Sequence, residues 1–89
     1  METRREVLYK IESAARLMTW ADVKIAHTDP DGWGVLLAQV KRQEELLDCA
    51  KWIAKRIGIS DEEVEAAECK GTDDALQTAT ECYEEGRWE

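Results

Sequence analysis

The sequence predicts an all-α fold, a bundle of three long helices, and three observations carry that prediction. The 89 residues include one Pro, five Gly and no Phe, so the chain has few residues that interrupt a helix and few that favour a strand. Apolar residues recur every three or four positions over long stretches, the pattern of a helix that buries one face. The strongest turn signals fall between these stretches. We therefore expect a single helical domain over residues 1–89, with helices at 3–26, 33–57 and 61–85.

The first predicted helix has the most regular apolar stripe in the chain. Thr3 and Glu6 have the spacing of a capping box, in which each residue bonds to the backbone of the other at the helix start. Trp20 lies off the stripe, and we expect it at the rim of the core. The stripe repeats with alternating spacings of four and three residues and comprises Val7, Ile11, Ala14, Met18, Ala21 and Ile25.

A turn over residues 27–34 separates the first two helices. Pro30 disfavours helical backbone at the residue before it, and we expect Asp29 or Asp31 to cap the second helix. Gln43 interrupts the second apolar stripe. A glutamine there either fixes register or marks a place where the bundle opens to water. The remaining stripe positions are Leu36, Val40, Leu47, Ala50, Ala54 and Ile57.

The junction between the second and third helices has the clearest local signals. Gly58 suits a left-handed helix cap, and Ser60 with Glu63 is a second capping box. The third helix has a thin stripe of mostly small residues, which allows close packing and buries little area. Because Gly71 and Thr72 precede two aspartates, we expect a break or kink near Gly71, with segments at 61–69 and 73–85.

Charge and cysteine content narrow the functional classes. The net charge is −8, which disfavours direct binding to nucleic acid and to anionic membranes. Residues 1–59 are nearly neutral, whereas residues 60–89 contain eleven acidic and two basic side chains. No apolar run reaches the length of a membrane span. The three cysteines are odd in number and form no C-x-x-C pair, so we expect reduced thiols packed as small apolar residues in a cytoplasmic protein.

The junction also resembles the helix-turn-helix family in the spacing of Ala54, Gly58 and Val64. That resemblance implies a second helix that enters the major groove of DNA. The residues that would face phosphate are all acidic here, which favours an ordinary helix junction. They are Asp61, Glu62, Glu63, Glu65 and Glu68.

An alternative function is Mg²⁺-dependent hydrolysis. Glu44, Glu45 and Asp48 resemble one half of the E-E-x-x-E ligand set of MazG-like nucleotide pyrophosphohydrolases, but the next helix has no matching second half. His27 with the nearby Asp29 and Asp31 is too small a set for a transition-metal site. The sequence therefore assigns no catalytic residue, metal ligand or cofactor, and a solvated acidic surface explains the carboxylate pairs.

The leading hypothesis is a small acidic interaction module that acts by stoichiometric binding to a protein with a basic surface. In size and charge the chain resembles the small acidic anti-CRISPR and DNA-mimic proteins of phages, which implies an inhibitor that occupies a nucleic-acid site on a larger machine. Exposed tryptophans are frequent at protein interfaces. Apolar surface left over on the long helices could also support a homodimer, or a purely structural oligomerisation module. The predicted partner-binding residues are Glu62, Glu63, Glu65, Glu68, Asp73, Asp74, Glu81, Glu84, Glu85, Trp33 and Trp88.

Overall fold

The computed structural model describes residues 3–84, with side chains from residue 3 to residue 82. Within that range the chain forms three long α-helices and no strand, which confirms the all-α bundle. Helix α1 is Arg4–Ala26, α2 is Trp33–Arg56 and α3 is Asp61–Glu84. These bounds agree with the predicted helices to within one residue, apart from the end of α3, where the described part of the chain stops.

Helix α1 is the centre of the fold. It packs against both α2 and α3, whereas α2 and α3 make few contacts with each other. Contacts of Arg4 with Glu63 and of Thr19 with Thr72 show that α3 runs parallel to α1, as an up-down-up topology requires. Two flanking helices cannot surround a central one, so part of α1 is left uncovered.

The main core lies between α1, α2 and the start of α3. The predicted stripe residues of α1 form one side of it, with Val7 and Ile11 fully buried. Met18 is partly buried against this cluster. The other buried members are Ala14, Leu47, Ala50, Ala54 and Ile59. The stripes of the first two helices therefore identified this core, except at Ile57, a predicted stripe residue that is 46% exposed at the α2–α3 turn.

The contact between α1 and α3 is made by small residues. Ala15, Ala75 and Ala79 are buried there, and Gly71 is buried among them. A Cβ at Gly71 would overlap the carbonyl of Glu12 and lie 3.1 Å from the Arg16 amide nitrogen, so the two backbones are in close contact. The sequence prediction that small residues allow close packing holds here.

The predicted break near Gly71 is wrong, whereas the alternative of a kink there stays a prediction. Helix α3 continues without interruption from Asp61 to Glu84. Gly71 and Thr72 resemble a stop followed by a new start, yet both face α1, where Gly71 permits the close approach and Thr72 is hydrogen-bonded to Thr19. Tertiary packing therefore overrides the local turn signal.

The α2–α3 turn has the geometry that its residues predict. Gly58 has φ +86°, and the Ile59 amide donates to the Ala54 carbonyl over 2.9 Å, which makes a Schellman cap. Ile59 is buried in the core. The Ser60 hydroxyl accepts from the Glu63 amide at the start of α3. The turn is thus held on both sides.

The α1–α2 turn differs from its prediction. Residues Pro30–Gly32 form one 3₁₀ turn, and neither Asp29 nor Asp31 caps α2, which begins after Gly32 without a side-chain cap bond. The turn is tied instead by the Trp33 indole nitrogen, which donates to the Thr28 carbonyl over 2.8 Å. That bond replaces the expected aspartate cap as the local constraint.

Two further expectations about burial are corrected or decided by the structure. Cys49 and Cys69 are exposed and only Cys82 is half-buried, so the expectation that the cysteines are core fillers is wrong. Gln43 is half-buried and lines two open hollows between α1 and α2, which supports the alternative that the bundle opens to water there.

Candidate functional site

The outward face of α3 presents acidic side chains to solvent. Glu62, Glu65, Asp73 and Glu81 are exposed. Helical geometry places Glu62 and Asp73 on the side of α3 opposite Gly71 and Ala75, with Glu65 and Glu81 on the two flanks of that side, over an axial length of about 28 Å. None of the four forms an ion pair with another described residue.

The other predicted acidic residues of α3 are used within the fold. Glu63 pairs with Arg4 and is hydrogen-bonded to the Ser60 hydroxyl. A carboxylate oxygen of Glu68 lies 2.9 Å from the Lys51 ammonium nitrogen, which joins α3 to α2.

Asp74 is half-buried. The side chain of Glu84, together with Glu85 and Trp88, lies outside the described residues. The predicted site therefore divides into an outward group, an inward group and a group that the structure does not describe.

A shallow polar hollow of about 390 Å³ lies beside the α2–α3 turn. Lys51 and Lys55 contribute positive charge from α2, and Asp61, Glu65 and Glu68 contribute negative charge from α3. Because both signs are present, the field in this hollow is partly neutralised. The unbalanced negative charge of the outward face therefore lies further along α3, at Asp73 and Glu81.

The tryptophans occupy different environments. Trp33 is 37% exposed and its indole is bonded to Thr28, so it braces the turn while keeping one surface accessible. Trp20 is half-buried at the rim, as predicted, with the Lys24 ammonium 5.8 Å from its ring centroid. Trp52 is 62% exposed and is covered on one face by the Arg56 guanidinium.

The candidate metal ligands named from the sequence do not come together in the described residues. Glu44, Glu45 and Asp48 are exposed on α2, and no group of three or more potential metal ligands lies close together within residues 3–82. His27, Asp29 and Asp31 are exposed at the α1–α2 turn and do not converge on a metal position. The hydrolase alternative thus gains no second ligand pair from the described structure.

Comparisons of the chain with protein-family models, with curated proteins and with solved structures gave no match in any of the three. Within residues 3–84, no helix combines the length and the apolar character that crossing a membrane requires. Function therefore has to be inferred from the surfaces that the fold presents.

The sequence predicted leftover apolar surface on the long helices but did not locate it on the uncovered side of α1. Tyr9, Leu17 and Leu46 are about half or more exposed and belong to this side of the molecule. The four-residue spacing of Tyr9, Ser13 and Leu17 could have indicated a second stripe on α1. It was masked by the longer stripe of buried residues on the adjacent face.

Proposed function

We propose that this protein is a stoichiometric binding module whose outward α3 face occupies a basic, nucleic-acid-binding site on a protein partner. The observation that carries the proposal is the pair of exposed carboxylates Asp73 and Glu81, which form no ion pair within residues 3–82. Acidic residues in the first turn of α3 complement the helix dipole, but Asp73 and Glu81 lie well beyond that turn.

The contrast between the two groups of acids supports this assignment. Glu63 and Glu68 are paired with Arg4 and Lys51, whereas the outward acids have no cation among the described residues. An unbalanced negative surface on a rigid helix attracts a basic partner, increases the association rate and competes with nucleic acid for Lys and Arg side chains. Such a surface suits an inhibitor that mimics a polyanion.

The test is capture of a partner from a cell lysate by the tagged protein, compared between two charge-reversal variants. Asp73→Lys with Glu81→Lys alters the outward α3 face, and Glu44→Lys with Glu45→Lys makes the same change in net charge on α2. We expect the first pair to abolish capture and the second to retain it. Double-stranded DNA added as a competitor should release the captured partner, and so should increasing salt.

Two results would count against the proposal. Equal loss of capture in both variants would show that net charge, rather than the α3 face, governs binding. Retention of the partner by the α3 variant, or in the presence of excess DNA, would place the contact elsewhere or exclude a nucleic-acid site. Circular dichroism of each variant verifies that the helices are intact.

A further inference from the structure

The uncovered side of α1 forms a groove with apolar walls. Three adjoining hollows make up this groove: two between α1 and α2, of about 360 and 290 Å³, and one between α1 and α3, of about 210 Å³. Leu17 lines all three and Trp20 lines two of them. Leu46 of α2 and Ala75 of α3 lie on opposite sides of the groove. The groove is thus continuous along the exposed side of α1.

The charge of the groove is opposite to that of the whole molecule. None of its lining residues is acidic, although the chain contains 20 Asp and Glu residues. Lys10, Arg16 and Arg42 line it. Arg16 donates to the Ser13 hydroxyl, which holds its guanidinium along α1. Arg42 forms no ion pair with a described residue, so it is available to an incoming carboxylate.

We infer that this groove binds an acidic amphipathic helix of a protein partner. From Tyr9 to Trp20 the floor extends about 16 Å, or three helical turns, and its walls are helices that run along the same axis. A fourth helix placed there completes a four-helix bundle and buries its own apolar stripe against Leu17 and Leu46. Acidic residues beside that stripe then meet Arg16 and Arg42.

A second copy of this chain is a poorer occupant. In a two-fold symmetric contact the same surface patch meets itself, so the cations of one groove would face those of the other. Like charges across an interface disfavour association. The groove is also distinct from the outward face of α3, because its α3 contributors, Ala75 and Thr78, lie on the side of α3 that faces α1. It is therefore a second interaction surface, independent of the proposed function.

The probe for this surface is a library of helix-forming peptides of about 16 residues, which form a helix of about 24 Å and so span the floor of about 16 Å with a few residues beyond each end. Leucine is fixed at one apolar stripe, and the flanking positions vary among Glu, Lys, Gln and Ser. Binding to the full chain is measured by fluorescence polarisation. We expect enrichment of Glu at the flanking positions and no binding by the Lys-flanked peptides.

Two matched pairs of variants locate the contact. Leu46→Ala should weaken binding of the selected peptide about tenfold, whereas Leu37→Ala should not. Leu37 is similarly exposed, on the opposite side of α2. Arg42→Glu should also weaken binding about tenfold, while Lys41→Glu, the same charge change at the exposed neighbouring residue, should have little effect.

The inference fails if no peptide binds, if Lys-flanked peptides bind as well as Glu-flanked ones, or if both members of a variant pair behave alike. Sedimentation of the free chain tests the other candidate occupant of the groove, a second copy of this chain. A dimer at micromolar concentration that Arg42→Glu or Leu46→Ala converts to a monomer would assign the groove to a second copy and overturn the inference.

Discussion

Gly71 is the residue at which local preference and tertiary packing make opposite predictions. In an isolated helix, Gly→Ala increases stability by about 1 kcal/mol. In this fold a Cβ at Gly71 would overlap the Glu12 carbonyl, so α1 and α3 would have to separate. We expect Gly71→Ala to lower the free energy of unfolding by about 1–3 kcal/mol, the usual range for an overpacked core. Urea unfolding followed by circular dichroism at 222 nm measures the change.

Gly34→Ala is the matched control for this prediction. Gly34 is in α2, is exposed, and has no atom within 4 Å of an added Cβ. The same substitution should there leave stability unchanged or raise it by up to about 1 kcal/mol. A Gly71→Ala variant as stable as Gly34→Ala would show that α3 does not lie as close to α1 as the structure has it.

At the scale of elements, the sequence predicted helices well where periodicity and capping agreed. The stripe of α1 and the Gly58–Ser60 junction were read correctly because each depends on contacts within a few residues along the chain. The break near Gly71 was predicted wrongly because its cause, the approach of α1, lies more than 50 residues away in sequence. Gln43 was ambiguous for the same reason, since only the placement of α1 against α2 decides whether that position is open.

Loss of the Schellman cap after α2 should lower stability through strain that is confined to the α2–α3 turn. Gly58 has φ +86°, where a side chain with a Cβ is strained. Gly58→Ala should therefore reduce the free energy of unfolding by about 1 kcal/mol, and Gly58→Asn should reduce it less because asparagine tolerates this conformation better. Thermal and urea denaturation of the two variants give the ranking. An alanine variant as stable as the natural chain would contradict the cap geometry.

At the scale of the whole molecule, the sequence predicted that charge is concentrated in the third helix but not how the fold distributes it. Composition showed eleven acidic residues after residue 59. It could not show that Glu63 and Glu68 meet cations from α1 and α2 while Asp73 and Glu81 face solvent. The groove along α1 was not foreseen either, because it arises from two helices that leave one side of a third uncovered.

This distribution predicts that two isosteric double substitutions with the same change in net charge alter stability differently. Asp73→Asn with Glu81→Gln removes outward charges that repel the rest of an acidic molecule. We expect a gain of up to about 0.5 kcal/mol in unfolding free energy at low salt. Glu63→Gln with Glu68→Gln removes the partners of Arg4 and Lys51 and should give no gain.

Thermal melts of both double variants at low and physiological ionic strength test this prediction. Because the Debye length at physiological ionic strength is about 8 Å, screening there should reduce the difference in stability between the two variants. If both double variants gained equally, net charge alone would account for the effect. If the Asp73→Asn, Glu81→Gln variant gains stability and no longer captures the partner, then the natural chain keeps its acidic face for binding at the expense of stability.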